Sequence, residues 1–417
     1  MKRKNRFSVI LALSVFIRCL CSAETVTLDS LIQKAYSGNP EINAARKKAA
    51  AAYEVSGQEM TPDNPQLFLD YQKIPAGDIS PGAAEDKMFG ITQMLPWPGK
   101  LGLGGRIADR DAEIAALEVK NTELGVISDL KAAYAEYFYI SKAIEVYSEN
   151  AEIMRNISTS LESRYAAGKA AQSEVLKAQV EAAKMSNMVF TSKQELESSR
   201  AEINMLTGGS PDSPLGEPEA PAPAYLDKGW AEVKDIVLNN NYEIRERKIG
   251  VSRSGLEKDY GVDGFFPDIE LTYRKRRTNG AWDGNDIMVG ATAPLWFWKP
   301  ALRVKQMSYE LERAEYESKD AEIRAVYDAR VYFSRLETGR GLIDLYRTSV
   351  LPQAEQARKA SEAEYFSGRG DFLQFLDSTR TMLDFKLDYY KNISDYLRDL
   401  AALEKIAGTE FKQGGNK

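Results

Sequence analysis

The chain has 417 residues, 43% hydrophobic and 28% charged, which excludes a disordered chain and suits a few ordinary domains or one extended architecture. It contains no histidine, so the commonest general base and the commonest metal ligand are both missing. Removing the five basic residues of its leader from a total of 55 leaves 50 against 61 acidic ones, a net charge of −11 that argues against a nucleic-acid partner.

The leader comes first. Lys2, Arg3, Lys4 and Arg6 precede an apolar run over residues 7–17, and Cys21, Ser22 and Ala23 follow as small residues, with Arg18 as an irregularity. This layout predicts a signal peptide over 1–23, cleaved after Ala23, and hence export. The run is too short for a bilayer-spanning helix, which takes about 20 apolar residues. Cys19 and Cys21 both lie inside it, so the mature chain is expected to carry no thiol and no disulfide. Lipid attachment at Cys21 is the alternative, with the bulky Leu20 against it. No later segment reaches 18 consecutive apolar residues.

The remainder is written twice. "NPEIN" at Asn39 matches "NYEIR" at Asn241, and Pro65 and Tyr71 match Pro267 and Tyr273 at the same offset. Gly90, Thr92 and Leu95 pair with Gly290, Thr292 and Leu295. "RYAAGK" at Arg164 pairs with "EYFSGR" at Glu364. The first repeat is placed at 24–207 and the second at 226–408, joined by a linker rich in proline and glycine at 208–225 and followed by a tail at 409–417.

Each repeat opens with helical patterns of moderate length, near 28–60 and 228–260. Two alternating segments follow, expected as strands at about 65–73 and 88–95, then at about 267–277 and 286–295. "IPAGDISPGAAED" and "TNGAWDGN" read as their connecting turns. On the strands, Asp70, Gln72, Glu270, Thr272 and Arg274 are assigned to a wet lumen, and Leu67, Leu69, Ile269 and Leu271 to lipid. Long helices come next, at about 100–165 and 172–207, then about 301–366 and 372–406. Leu117, Leu124, Ile127, Tyr134, Tyr137, Ser141 and Ile144 recur near every 3.5 residues, as in a coiled-coil seam. Pro352 should bend or locally unwind its helix.

"QMLPWPGK" and "PLWFWKP" stand where strand gives way to helix. Pro96, Trp97, Pro98 and Gly99 make one joint; Trp296, Trp298 and Pro300 make the other. The prolines stop the hydrogen-bond ladder, Gly99 permits the change of backbone state, and the tryptophans suit either an interfacial girdle or packing inside the joint. Four strands leave unpaired edges in lipid, so several chains must close a barrel together.

In these features the sequence resembles the TolC family of outer-membrane efflux proteins. The resemblance spans nearly the whole mature chain and rests on the duplicated order, the two joints, and the tip motifs "YAAGKAAQSEVLKAQ" and "YFSGRGDFLQFLD". It implies a mainly α fold with a trimeric twelve-stranded barrel continuing into an α-helical periplasmic tunnel. The implied function is a passive outer-membrane duct for efflux or type I secretion. Its implied partners are two further copies, a periplasmic adaptor, an inner-membrane pump and outer-membrane lipid. "PWPGK" looks closer to the metal and cation efflux branch than to the drug branch.

The resemblance also implies a gate at the helical tips far from the membrane. Tyr365 matches the network tyrosine and Glu174 its acidic partner. Arg369 matches the arginine only after a shift of one, because Gly370 holds the direct position. Asp377 matches one of two acidic constriction positions; the other is Gln374, for which Asp371 is a nearby substitute. The alternative is that these are ordinary solvated tip residues.

No catalytic residue, cofactor or metal site is expected. Met88, Met94, Met185, Met188 and Met205 could in principle hold a soft ion, but methionines at helical spacing more often pack. "GLGG" at 102–105 lacks the context of a phosphate loop. A periplasmic coiled-coil adaptor without a barrel is the rival reading, and a secreted enzyme is a remoter one.

Overall fold

The computed structural model describes residues 25–220, 225–278 and 280–411. The expected leader, part of the proline-rich linker and most of the tail lie outside the described residues.

Each moderate helical pattern folds as two helices. In the first half these are α1 (Leu28–Gly38) and α2 (Pro40–Glu59). Pro40 forces Asn39 out of the helical region, to φ −66° and ψ 123°, and then starts α2 at the position where its missing N–H costs nothing. The second half has α5 (Trp230–Asn240) and α6 (Tyr242–Val262). It lacks the proline, yet Asn241 breaks the helix at the same place by capping α6 with its side chain.

The strands are β1 (Gln66–Gln72), β2 (Asp86–Leu95), β3 (Asp268–Thr278) and β4 (Ala281–Thr292). They form one antiparallel sheet in that order, so β2 and β3 join the two repeats. β4 starts earlier than the alternation suggested. "AWDGN" belongs to the strand and not to the turn, because a bulge between Arg276 and Arg277 takes up the extra residue. The reversal is tight, with Gly280 at φ +88°. β4 also ends earlier, at Thr292, two residues before Pro294, which has no N–H for the ladder.

The register separates two faces. Thr92 and Thr272 meet side by side, their hydroxyls 2.9 Å apart, and Thr272 is only 3% exposed. Leu67, Leu69, Ile287 and Val289 point to the other face, each at least 65% exposed. Asp70, Gln72, Glu270 and Arg274 lie on the Thr272 face, and Ile269 and Leu271 on the apolar one.

The long helices follow. α3 (Pro98–Ala166) runs 69 residues without a break, about 100 Å at a rise of 1.5 Å per residue. α4 (Gln172–Leu206) returns along it. In the second half α7 (Trp298–Leu345) passes through a π-helical turn (Tyr346–Val350) into α8 (Leu351–Phe366), and α9 (Phe372–Ala407) returns. The π turn lies immediately before Pro352, whose ring and missing N–H disrupt the preceding helical turn. Ile127, Tyr134 and Tyr137 of the seam are buried.

The core is divided along the helices. One cluster joins Leu31, Ile42, Leu130 and Ile203, and its counterpart in the second half joins Val233, Val237, Phe333 and Leu403. A third lies at the tips, around Leu161, Val175, Tyr365, Phe372 and Phe375. Among the described residues no helix is long and apolar enough to cross a membrane.

Candidate functional site

Both tips are built alike. After α3, Gly168 takes φ +71° and Lys169 N–H donates to the Arg164 carbonyl at 2.8 Å. After α8, Gly368 takes φ +78° and Arg369 N–H donates to the Glu364 carbonyl at 3.0 Å. These are glycine-terminated helix ends of the Schellman kind. Gly370 N–H donates to the same carbonyl, and a Cβ at 370 would lie 3.0 Å from Tyr365 N. A side chain at 370 would crowd the turn, and the tip arginine stands at 369.

The structure brings Tyr365 and Glu174 together. The Tyr365 hydroxyl donates to Glu174 Oε2 at 2.9 Å, joining the two repeats at their far ends. Tyr365 is 5% exposed. Its ring stacks on Phe375 at 6.1 Å and meets Phe366 and Phe372 at 5.4 and 5.5 Å. Burial pushes its hydroxyl up to about 12, and the bond to Glu174 reinforces the shift. The hydroxyl therefore stays a donor throughout the ordinary pH range. A hydrogen bond to a charged acceptor contributes about 1.5–3 kcal/mol.

Arg369, Asp371, Gln374 and Asp377 are exposed. Among the described residues none of the three charged ones has an oppositely charged group within 4 Å. Asp371 precedes α9 without capping it through its side chain. The cation at the Tyr365 ring is instead Arg164, whose guanidinium lies 5.2 Å from the ring centre and 5.9 Å from that of Phe366. Its Nε has no hydrogen-bond partner among the described residues. Lower on the bundle, Arg380 of α9 pairs with the buried Glu181 of α4, which holds the guanidinium above its usual range. Arg164 lies inside the repeated "RYAAGK" motif, but spacing alone cannot show that its charge sits on a ring from the other repeat.

At the joints, Trp97 stacks face to face on Phe266 at 4.6 Å. The Trp97 backbone N–H and the Lys100 ammonium both donate to Asp268 Oδ1, at 2.8 and 2.7 Å. Pro96 and Pro98 flank this tie, and Gly99 approaches Asp263 closely. Trp296 and Trp298 differ: they are 64% and 52% exposed, 5.2 Å apart, and border an open cavity of about 1170 Å³ with Pro300 and Leu302. Trp97 thus packs into its joint while Trp296 and Trp298 offer an aromatic surface.

The tips hold the Tyr365–Glu174 bond and an aromatic core, and the joints anchor strand to helix. Among the described residues no group of three His, Cys, Asp or Glu side chains is placed to hold a metal ion.

A duplicated helical hairpin on a four-stranded sheet with one apolar exposed face is the build of an outer-membrane channel subunit. A family model described as outer membrane efflux protein matches residues 31–209, the first repeat. The cobalt-zinc-cadmium resistance protein CzcC of Cupriavidus metallidurans is 23% identical over 402 residues, covering 93% of this chain and 91% of its own. The outer membrane protein TolC of Escherichia coli is 22% identical over 452 residues, covering 99% of this chain and 88% of its own. The crystal structure of the Campylobacter jejuni CmeC outer membrane channel matches with a TM-score of 0.78 and 15% identity, covering 93% of this chain and 87% of that one. The chain is thus similar to TolC-like outer-membrane efflux proteins in its first repeat and over nearly its whole length, and shares the fold of solved channels of that kind.

Proposed function

We propose that three copies of this chain close a twelve-stranded barrel and continue it as an α-helical tunnel. The tunnel is a passive duct that receives cargo from a periplasmic adaptor and an inner-membrane pump. The observation that carries this reading is the sheet: four strands with two unpaired edges, a polar face around Thr272 and an apolar face exposed at Leu67, Leu69, Ile287 and Val289. Such a sheet is stable in lipid only when other chains pair its edges. The helical periplasmic adaptor reading leaves that exposed apolar face without a use.

The leader delivers the chain through the inner membrane, and the trimer resides in the outer membrane with its helices in the periplasm. Tyr365, Glu174 and Arg164 hold the tips closed, with Arg369, Asp371, Gln374 and Asp377 exposed towards neighbouring copies. Docking of the partners parts the tips in an iris-like movement. The test is outer-membrane fractionation and native mass measurement of the full chain, followed by single-channel recording in planar bilayers. A soluble monomer without conductance would overturn the reading.

The similarity to CzcC favours a divalent metal cation as cargo over a drug. Deletion should then sensitise cells to cobalt, zinc or cadmium and leave dye and detergent tolerance unchanged; the reverse pattern would exclude metal cargo.

A further inference from the structure

The outward face of the sheet changes character along its length. From the joint towards the hairpin ends, β3 presents Ile269, Leu271 and Tyr273, then Lys275 and Arg277. β2 presents Leu95, Ile91 and Phe89, then Lys87. The register sets Arg277 opposite Lys87, and Lys275 opposite Phe89, so the three bases are neighbours across two strands. No strand residue on this face is acidic.

Their charges are left open. The Lys275 ammonium lies 5.3 Å from the ring centre of Trp282. Arg277 Nε donates to the Gly280 carbonyl at 2.6 Å, and Lys87 Nζ to the Gly82 carbonyl at 3.2 Å. Among the described residues none of the three has a carboxylate within 4 Å. The opposite face behaves differently: there Arg274 and Arg276 approach Asp286 and Asp283 at 3.9–4.0 Å.

Height assigns the cluster to a layer. Arg277 is eight residues beyond Ile269, about 26 Å along a strand at ~3.3 Å per residue, hence roughly 20 Å of height at a tilt near 40°. The apolar band of a membrane barrel is about 25 Å tall. Arg277 and its neighbour Lys87 therefore approach its outer rim, where a charged side chain costs little, and Lys275, about 5 Å lower, reaches the headgroups by extending its stem.

We propose that Lys87, Lys275 and Arg277 form a site for the phosphate groups of an anionic glycolipid in the outer leaflet, one site per protomer, with Trp282 at headgroup level. The proposal rests on the barrel reading given above. A lipid suits the site better than free phosphate because the cluster borders directly on Phe89, Tyr273 and Ile287, which acyl chains would cover. Arginine meets phosphate through two parallel hydrogen bonds, and bases near an anionic surface are drawn to it.

The experiment uses the full-length assembly and bisphosphorylated lipid A, with dephosphorylated lipid A and inorganic phosphate as separate arms. Native mass spectrometry reads the retained lipid, and thermal unfolding reads the stabilisation. Bisphosphorylated lipid A should be retained and should raise the unfolding midpoint. The triple substitution Lys87→Gln, Lys275→Gln, Arg277→Gln should weaken retention at least tenfold while assembly and conductance persist. Equal retention by the variant, an equal effect of the dephosphorylated lipid, or the whole shift from inorganic phosphate alone would overturn the proposal. A spin label at Val289 tests the barrel reading separately: quenching by membrane-soluble oxygen supports it, and quenching only by a water-soluble agent sinks it.

Discussion

Asn39 and Asn241 do the same work in the two halves of the chain. Asn39 donates from its side-chain amide to the Leu206 carbonyl at 2.8 Å, and Asn241 donates to the Ile406 carbonyl at 2.8 Å. Each also accepts from the first turn of the helix it starts, from Glu41 and Ile42 N–H in one case and Ile244 N–H in the other. The contact closes over glycine: Gly208 at φ +76° and Gly408 at φ +67° meet the backbone of Gly38 and Asn240 so closely that a Cβ would lie 2.2 and 2.4 Å from their carbonyl oxygens. One amide thus ties the short helices to the end of the returning long helix, twice.

Asn39→Ala should remove a cap and leave a buried carbonyl unpaired, at about 1–3 kcal/mol. Asn39→Asp keeps the cap but loses the donor, so its thermal midpoint should fall between wild type and alanine. An aspartate variant as stable as wild type would show that the Leu206 bond contributes nothing.

The Tyr365–Glu174 bond has a pH signature. Tyr365 has its folded pKa raised to about 12 from an ordinary value near 10. Its neutral form is the one the fold favours, so its contribution is fully present below pH 10 and is lost between pH 10 and 12. Single-channel conductance should therefore rise over that interval. In Tyr365→Phe the step should be absent and conductance already higher at neutral pH.

Glu174 and Arg369 make a second test. Neutralising both, as Glu174→Ala with Arg369→Gln, should raise conductance. Among the described residues Arg369 has no carboxylate within 4 Å, so an effect of Arg369→Gln alone would point to a neighbouring copy. Unchanged conductance in the double variant would remove both residues from the gate.

Lys131 of α3 holds Glu404 of α9 at 2.7 Å and Glu410 at 2.9 Å. Glu404 is buried, and burial holds its carboxyl above the usual range against the pull of Lys131. Lys131→Met should leave that carboxylate uncompensated and cost about 3–5 kcal/mol. The deficit should shrink as pH falls through the raised pKa of Glu404, because the neutral acid needs no partner. A thermal midpoint equal to wild type at neutral pH would refute this.

Leu69 is 65% exposed on the apolar face. Leu69→Arg should impair trimer yield, since an unpartnered arginine on the lipid face costs up to about 2–4 kcal/mol, most at the bilayer midplane. Asp70→Asn, on the wet face, should assemble normally. Normal yield of Leu69→Arg would reverse the register.

Much of this was legible because it obeys a period. The alternation of Leu67, Asp70, Ile269 and Thr272 assigns faces before any coordinates, and the long seam of α3 announces a tunnel helix. The glycine and proline signals located the tips and joints. Contacts across the repeats were not legible. Spacing could not show that Arg164 would sit over the Tyr365 ring, since they are 201 residues apart. The matched asparagines were visible as a repeat, but their bonds to Leu206 and Ile406 depend on where α4 and α9 end. "AWDGN" carries turn residues, and only the pairing with β3 makes it a strand.

The duplication is unequal in stiffness. α3 is a continuous strut, whereas its counterpart yields at the π turn before Pro352. From that turn to Arg369 is about 20 residues, or roughly 30 Å of helix. A pivot of about 10° there carries the second tip some 5 Å sideways, more than the length of the Tyr365–Glu174 bond, while the first tip stays put. On the trimeric reading proposed above, each protomer would contribute one fixed jamb and one swinging leaf, and opening would need only three leaves to move.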